Sequence, residues 1–193
     1  MRFTRPTFSQ LFTVFMILCF AAWFYSPRVK SWVIMAFLAV GFYKPPVPIA
    51  KQNLGVAPPI LLHNIKGDIV DLQQQKGKVI FVNFWAVWCP PCLAELPSIN
   101  KLYAKVKDNQ DILFISIDVD NNLPRSSKML VNRGYQFPVY GGSPYTLPGP
   151  YFQQVIPTTV VIDKKGFVVF DHINRADYGD EKFLNYLLAL AKE

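Results

Sequence analysis

The chain is poor in metal ligands and, over its first third, has no acid at all. Its 193 residues include three cysteines and two histidines, and the histidines, His63 and His172, lie far apart. Cys19 sits alone in an apolar run, so Cys89 and Cys92 are the one close pair of thiols. A structural zinc site needs four ligands of matching type, and two cysteines by themselves do not hold the metal. Residues 1–67 carry Arg2, Arg5, Arg28, Lys30, Lys44, Lys51 and Lys66 against no Asp or Glu, whereas the remainder holds 13 bases and 13 acids. A nucleic-acid face would place its surplus on the folded part of the chain. Here the formal charge of +7 flanks apolar segments, which fits membrane topology and interface anchoring and argues against a nucleic-acid partner. Internal repeats and low-complexity tracts are missing too, so the chain is not a repeat array.

What is abundant is apolar surface, 51% of the residues, with the excess at the front. Residues 8–25 are apolar except for Ser9, Gln10 and Thr13. Their number approaches the roughly 20 residues that cross the hydrocarbon core as a helix. A cleaved signal peptide would end in a small-x-small site. Here Ala21-Ala22 runs into Trp23-Phe24-Tyr25, which fits an aromatic interface belt. The bulky Leu18 before Cys19 argues against a lipoprotein site, and Cys19 reads as a small hydrophobe. A second apolar run, 31–43, is short for a span and fits an interfacial or re-entrant piece, or an extension of the first helix beyond a kink at Pro27. One crossing with Arg2 and Arg5 inside puts the rest of the chain outside, and two would return it to the cytosol. The shortness of the second run favours one. The expected organisation is a membrane anchor at 1–43, a proline-rich tether at 44–58 and a folded domain at 59–193.

Within that domain, 60–72 reads as a hairpin around Lys66-Gly67-Asp68, and 79–85 as a buried central strand. A helix follows from Cys89 to about Lys107, and 112–118 is a second continuous apolar strand of the parallel kind. Further expectations are a helix over 126–133, a short edge strand at 137–140 and a Gly- and Pro-rich loop at 141–150. After these come a helical turn at 151–155, a hairpin of 158–162 with 167–173, and a closing amphipathic helix over 180–192.

The most informative stretch is Trp88-Cys89-Pro90-Pro91-Cys92, where the central strand hands over to the helix. Two cysteines separated by two residues close a small disulfide ring and reopen it. A helix N-terminus favours the reactive thiolate. The plainer readings are half a zinc site or a structural staple, and a helix-end pair suits exchange better than stapling. Pro97 falls inside the helix, where it removes a backbone bond, yet the apolar spacing continues past it. Pro157 opens the β-branched run Thr158-Thr159-Val160-Val161-Ile162, either as a simple edge feature or as a cis-proline loop facing the cysteines.

With Phe84-Trp85-Ala86-x-Trp88-Cys89-x-x-Cys92, Pro97 and Ile156-Pro157-Thr158, the chain resembles the thioredoxin superfamily. Asn83 in the central strand, Glu95 three residues after Cys92 and the hairpin of 60–72 are similar to its membrane-anchored TlpA/ResA/DsbE-type branch. The resemblance covers about residues 55–192. It implies an α/β thioredoxin-like fold: a central mixed sheet flanked by helices, with an extra N-terminal β-hairpin and an N-terminal transmembrane helix. It also implies protein thiol and disulfide substrates, often in cytochrome c maturation, and a membrane electron donor. No cofactor is called for. The expected setting is a bacterial inner membrane, crossed once, with the domain on the periplasmic or extracytoplasmic side.

Cys89, ahead of the helix, is the expected exposed nucleophile, and Cys92, one turn in, the resolving thiol. Glu95 lies on the same helix face as Cys92 and can take or return its proton, unless it is an ordinary solvated helix residue. Ile156 and Pro157 would offer backbone to an extended substrate segment. Trp88 would wall the site, and Trp85 would pack beside it. Pro90 and Pro91 lack N–H donors for a Cys89 thiolate, which favours the reducing direction, while the helix dipole opposes this. A different class of function stays open, a non-catalytic Cu(I)-handling or chaperone-like module with Cys89 and Cys92 as soft-metal ligands, though neighbouring Met or His ligands are lacking.

Overall fold

In the computed structural model the described residues are 8–25, 30, 33, 47, 53–142 and 155–193. The run at 31–43, the stretch 44–52, the loop at 143–150 and the helical turn expected at 151–155 lie almost wholly outside them.

Helix α1 spans Phe8–Tyr25. Its described side chains are exposed apart from the half-buried Ala21. At 1.5 Å per residue its 18 residues come to about 27 Å, against about 30 Å of hydrocarbon core. The transmembrane helix expected here is therefore not obtained: among the described residues no helix is long and apolar enough to cross a membrane.

The folded part is built on a seven-stranded sheet of β1 (Leu61–Asn64), β2 (Ile69–Asp71), β3 (Val79–Trp85), β4 (Ile112–Asp118), β5 (Tyr140–Gly141), β6 (Thr158–Ile162) and β7 (Val168–Ile173). Their order is β2-β1-β5-β4-β3-β6-β7. The centre is parallel, β3 with β4 (Phe81 opposite Phe114) and β4 with β5, and the flanks are antiparallel. Every residue of β3 is buried, as an apolar run covered on both faces requires. Hairpin turns at Gly67 (φ 86°) and Gly166 (φ 88°) use backbone that disfavours a Cβ.

Three helices pack on the sheet: α2 (Pro90–Val106), α3 (Leu123–Asn132) and α4 (Glu181–Lys192). Asn122 and Asp180 cap α3 and α4 with side-chain oxygens. The core centres on Phe81, whose ring stacks on Phe114 at 4.6 Å and meets Tyr178 and Phe183 edge-on.

One sequence expectation needs correction. The short strand near Tyr140 is interior, because β1 pairs with its free side and moves the edge out to β2. Residues 54–57, expected within a tether, are also hydrogen-bonded to the sheet. Leu54 N–H bonds Val168 O at 2.9 Å, Val168 N–H bonds Gly55 O at 2.9 Å and Ala57 N–H bonds Gly166 O at 2.8 Å. The open side of β7 offers unpaired backbone groups, and residues 54–57 satisfy them.

Candidate active site

Strand β3 ends at Trp85, and Ala86-Val87-Trp88 turns the chain, with Cys89 N–H bonded to Ala86 O at 3.2 Å. Cys89 is the N-cap of α2, in extended backbone, and its Sγ accepts the Cys92 N–H at 3.3 Å. Pro90 and Pro91 occupy the first helical positions, where a missing N–H costs the helix nothing. The same absence removes two donors that would point at Sγ. Cys89 and Cys92 form a disulfide with Cα atoms 5.3 Å apart. Cys92 is 0% exposed and Cys89 3%, so the expectation of an exposed Cys89 is corrected for the oxidised state. The capping geometry folds its sulfur back over the first turn toward Cys92.

Trp88 is the large surface beside the pair, 57% exposed. Its Nε1–H donates to Asp120 Oδ2 at 2.6 Å. Asp120 lies in the β4–α3 loop, which Asp118 shapes by accepting the N–H groups of Asp120 (3.2 Å) and Asn122 (3.1 Å). Burial pushes the Asp118 carboxyl up, against the pull of those bonds. Trp85 is wholly buried and donates to Ser116 Oγ at 2.6 Å, a packing role.

The Ile156–Pro157 peptide is cis. Because Thr158 pairs with Phe84, Pro157 sits level with Trp85, at the end of the sheet where the cysteine turn begins. Pro157 is buried and Ile156 half-buried. The Pro157 carbonyl accepts Asn174 N–H at 2.9 Å, whereas no described residue hydrogen-bonds the Ile156 backbone.

Glu95 is not solvated. It is 0% exposed, with Oε1 accepting Asn83 Nδ2–H at 2.8 Å and Oε2 accepting Ala176 N–H at 3.1 Å. Burial raises its carboxyl to about 8, and the two hydrogen bonds only partly oppose this. A carboxyl at about 8 is present in both its protonated and its charged form around that pH. Asn83 also donates to Thr159 Oγ1 at 2.9 Å. The Tyr178 phenol, wholly buried, is pushed well above its usual range by burial and by Glu95.

The structure thus brings Cys89, Cys92 and Trp88 into one turn, sets Ile156 and Pro157 at the same end of the sheet, and places Glu95 one turn along α2 in the core. Sequence reasoning passed over Asp120, Ala176 and Tyr178. The last two reach α2 across about 80 positions, a contact that no local pattern announces. Asn83 carried a signal as the polar residue of an apolar strand.

Residues 55–188 match the Redoxin family model. A thiol-disulfide oxidoreductase ResA from Bacillus thuringiensis (strain Al Hakam) is 34% identical over 120 residues, covering 62% of this chain and 69% of the relative. A ResA from Geobacillus thermodenitrificans is 28% identical over 156 residues, covering 81% and 82%. Among solved structures, a thiol:disulfide interchange protein of the thioredoxin family from Chlorobium tepidum superposes with a TM-score of 0.59 at 26% identity, covering 74% of this chain and 99% of that one.

Proposed function

The chain belongs to the Redoxin family, as a thiol-disulfide oxidoreductase of the ResA/DsbE-like branch of the thioredoxin superfamily, and from that premise we propose that it reduces selected protein disulfides outside the cytoplasm while tethered to the membrane. The observation that carries the reading is the Cys89–Cys92 disulfide at the start of α2, with prolines in the two positions that follow Cys89. A thiolate deprived of those donors is less stabilised, and its dithiol gives up electrons more readily.

In the forward reaction the Cys89 thiolate attacks a substrate disulfide. The first substrate sulfur leaves as a thiolate and takes a proton from water. Cys92 passes its proton to the Glu95 carboxylate and attacks Cys89 Sγ. The mixed disulfide breaks, the second substrate sulfur leaves, and the protein keeps a disulfide and a protonated Glu95. Two electrons from a membrane thiol donor reopen the pair, and Glu95 returns its proton to Cys92. An extended substrate segment pairs with the Ile156 backbone beside the buried Pro157 and lies over the Trp88 ring. Cytochrome c maturation or related thiol delivery is a task suited to such a reductant in an oxidising space.

The apolar, exposed α1 supports tethering, since such a surface is stable in lipid and not in water. We assign 1–43 to the anchor and the following stretch to a tether, with the amino terminus inside. A reporter that works only outside the cytoplasm, fused after Glu193, should be active. An inactive fusion there with an active one after Pro27 would mean two crossings.

The direction of exchange is tested by the Cys89/Cys92 reduction potential, measured against a dithiothreitol series. A value near that of disulfide-inserting enzymes, about −120 mV, would overturn the reductase assignment. Cys92→Ser should trap the physiological substrate as a mixed disulfide on Cys89.

A further inference from the structure

Asn83 is a polar side chain in a wholly buried strand. Its Nδ2 carries two hydrogens, and both are used, on Glu95 Oε1 at 2.8 Å and on Thr159 Oγ1 at 2.9 Å. Its Oδ1 is sealed from solvent and has no hydrogen-bond partner. An orphaned buried carbonyl is costly, so its persistence calls for a reason.

The proton count at Glu95 supplies one. A carboxylate is acceptor-only, and the two N–H groups it receives, from Asn83 and Ala176, suit that state. A carboxylic acid must place one O–H. Ala176 is backbone, so its N–H stays and Oε2 remains an acceptor. The proton therefore belongs on Oε1, which faces Asn83 Nδ2. With the amide as it stands, O–H and N–H would oppose each other. Half a turn of the amide puts Oδ1 opposite the Glu95 O–H, in almost the same volume. The Thr159 hydroxyl accepts a hydrogen bond in the first arrangement and can donate one in the second. Each arrangement leaves one amide atom unpaired, Oδ1 in the first and Nδ2 in the second, so the charge on Glu95 decides between them.

We propose that Asn83 is a positioning residue whose side-chain amide turns over each time Glu95 gains or loses its proton, keeping the buried carboxyl hydrogen-bonded in both states. This rests on the reading that Glu95 exchanges a proton with Cys92. No bond forms or breaks in the turn itself; the proton that drives it moves between Cys92 Sγ and Glu95 Oε1. The surrounding titratable and charged groups are Cys92 on α2, His172 on β7, which lies cross-strand from Thr159 and whose imidazole burial pulls down, and, from the segment after β7, the Tyr178 phenol and Arg175, which precedes Ala176. Asn83 and Thr159 are neutral. Burial and Glu95 keep Tyr178 protonated through this range.

The test is a pH titration of the full-length oxidised protein, following the Asn83 amide and Glu95 carboxyl signals by NMR. The Asn83 Nδ2 resonances should titrate with the Glu95 midpoint and stop titrating in Glu95→Gln. In Asn83→Leu the Glu95 midpoint should move by less than about one pH unit, under tenfold in proton affinity, because a donor to the charged form and an acceptor to the neutral form are lost together. Asn83 signals that stay flat while Glu95 titrates would overturn the proposal, with no variant needed. So would a rise well beyond about one pH unit in Asn83→Leu, the mark of an amide that serves the charged form alone. The pH profile of exchange at Cys92 separates the two readings. If the amide follows Glu95 but Glu95→Gln leaves that profile unchanged, the turn stands and the role of Glu95 in exchange falls.

Discussion

A carboxyl raised to about 8 ties stability to pH at the scale of one residue. The folded state binds this proton more tightly than the unfolded chain. The stabilisation is thus complete below about pH 4.5 and is lost as pH rises through 8. The slope between is at most about 1.4 kcal/mol per pH unit, so the loss is on the order of a few kcal/mol. Urea denaturation of the oxidised protein at pH 5 and pH 8 should show it, and Glu95→Gln should remove most of the difference. Asp120 allows a second prediction. Without its acceptor the exposed Trp88 loses its orientation, and Asp120→Ala should raise the KM for a protein disulfide about two- to tenfold with kcat little changed. An equal fall in kcat would mean that Asp120 acts on the chemistry. At this scale the cysteines were plain from their spacing. The partner of Trp88 was not, because Asp120 reaches it from another loop, 32 positions on.

Among elements, α2 joins the most parts. Its first turn holds the disulfide, its inner face holds Glu95, Leu96, Ile99 and Leu102, and its middle anchors the segment after β7. Ser98 makes that last connection. Its hydroxyl donates to Glu95 O at 2.7 Å and accepts Tyr178 N–H at 3.2 Å. Ser98→Ala would leave the Tyr178 N–H unpaired and should cost about 1–3 kcal/mol, read as a lower denaturation midpoint at unchanged slope. An unchanged midpoint would show that water replaces the hydroxyl. The helix runs through Pro97, as its apolar spacing indicated, because Pro97 lies on the exposed side. Strands β3 and β4 were legible for a similar reason: burial on both faces leaves a continuous apolar run. The two-residue β5 was misjudged as an edge, since nothing within Tyr140–Gly141 records that β1 will pair beside it.

For the molecule as a whole, the residues that build the redox site fall within 83–178, and the exposed α1 contributes none of them. A fragment of residues 53–193 should therefore keep the Cys89/Cys92 potential of the full chain within about 30 mV and leave the membrane fraction. A larger shift would mean that the amino-terminal part tunes the pair. The cut is set at 53 because residues 54–57 are hydrogen-bonded to β7 and its turn.

The sequence by itself determined the chemistry and its frame. A close pair of thiols at a strand–helix junction, apolar strands, turn glycines and a basic, acid-free front are local patterns, and local patterns can be read one segment at a time. Tertiary structure alone decided the state of Glu95. On the sequence it is one helix carboxylate among many. In the fold, β3 brings Asn83 and the segment after β7 brings Ala176 and Tyr178, and together they strip its water and supply fixed partners. Proton affinity depends on that solvation and those partners, and both are set by residues up to 83 positions away.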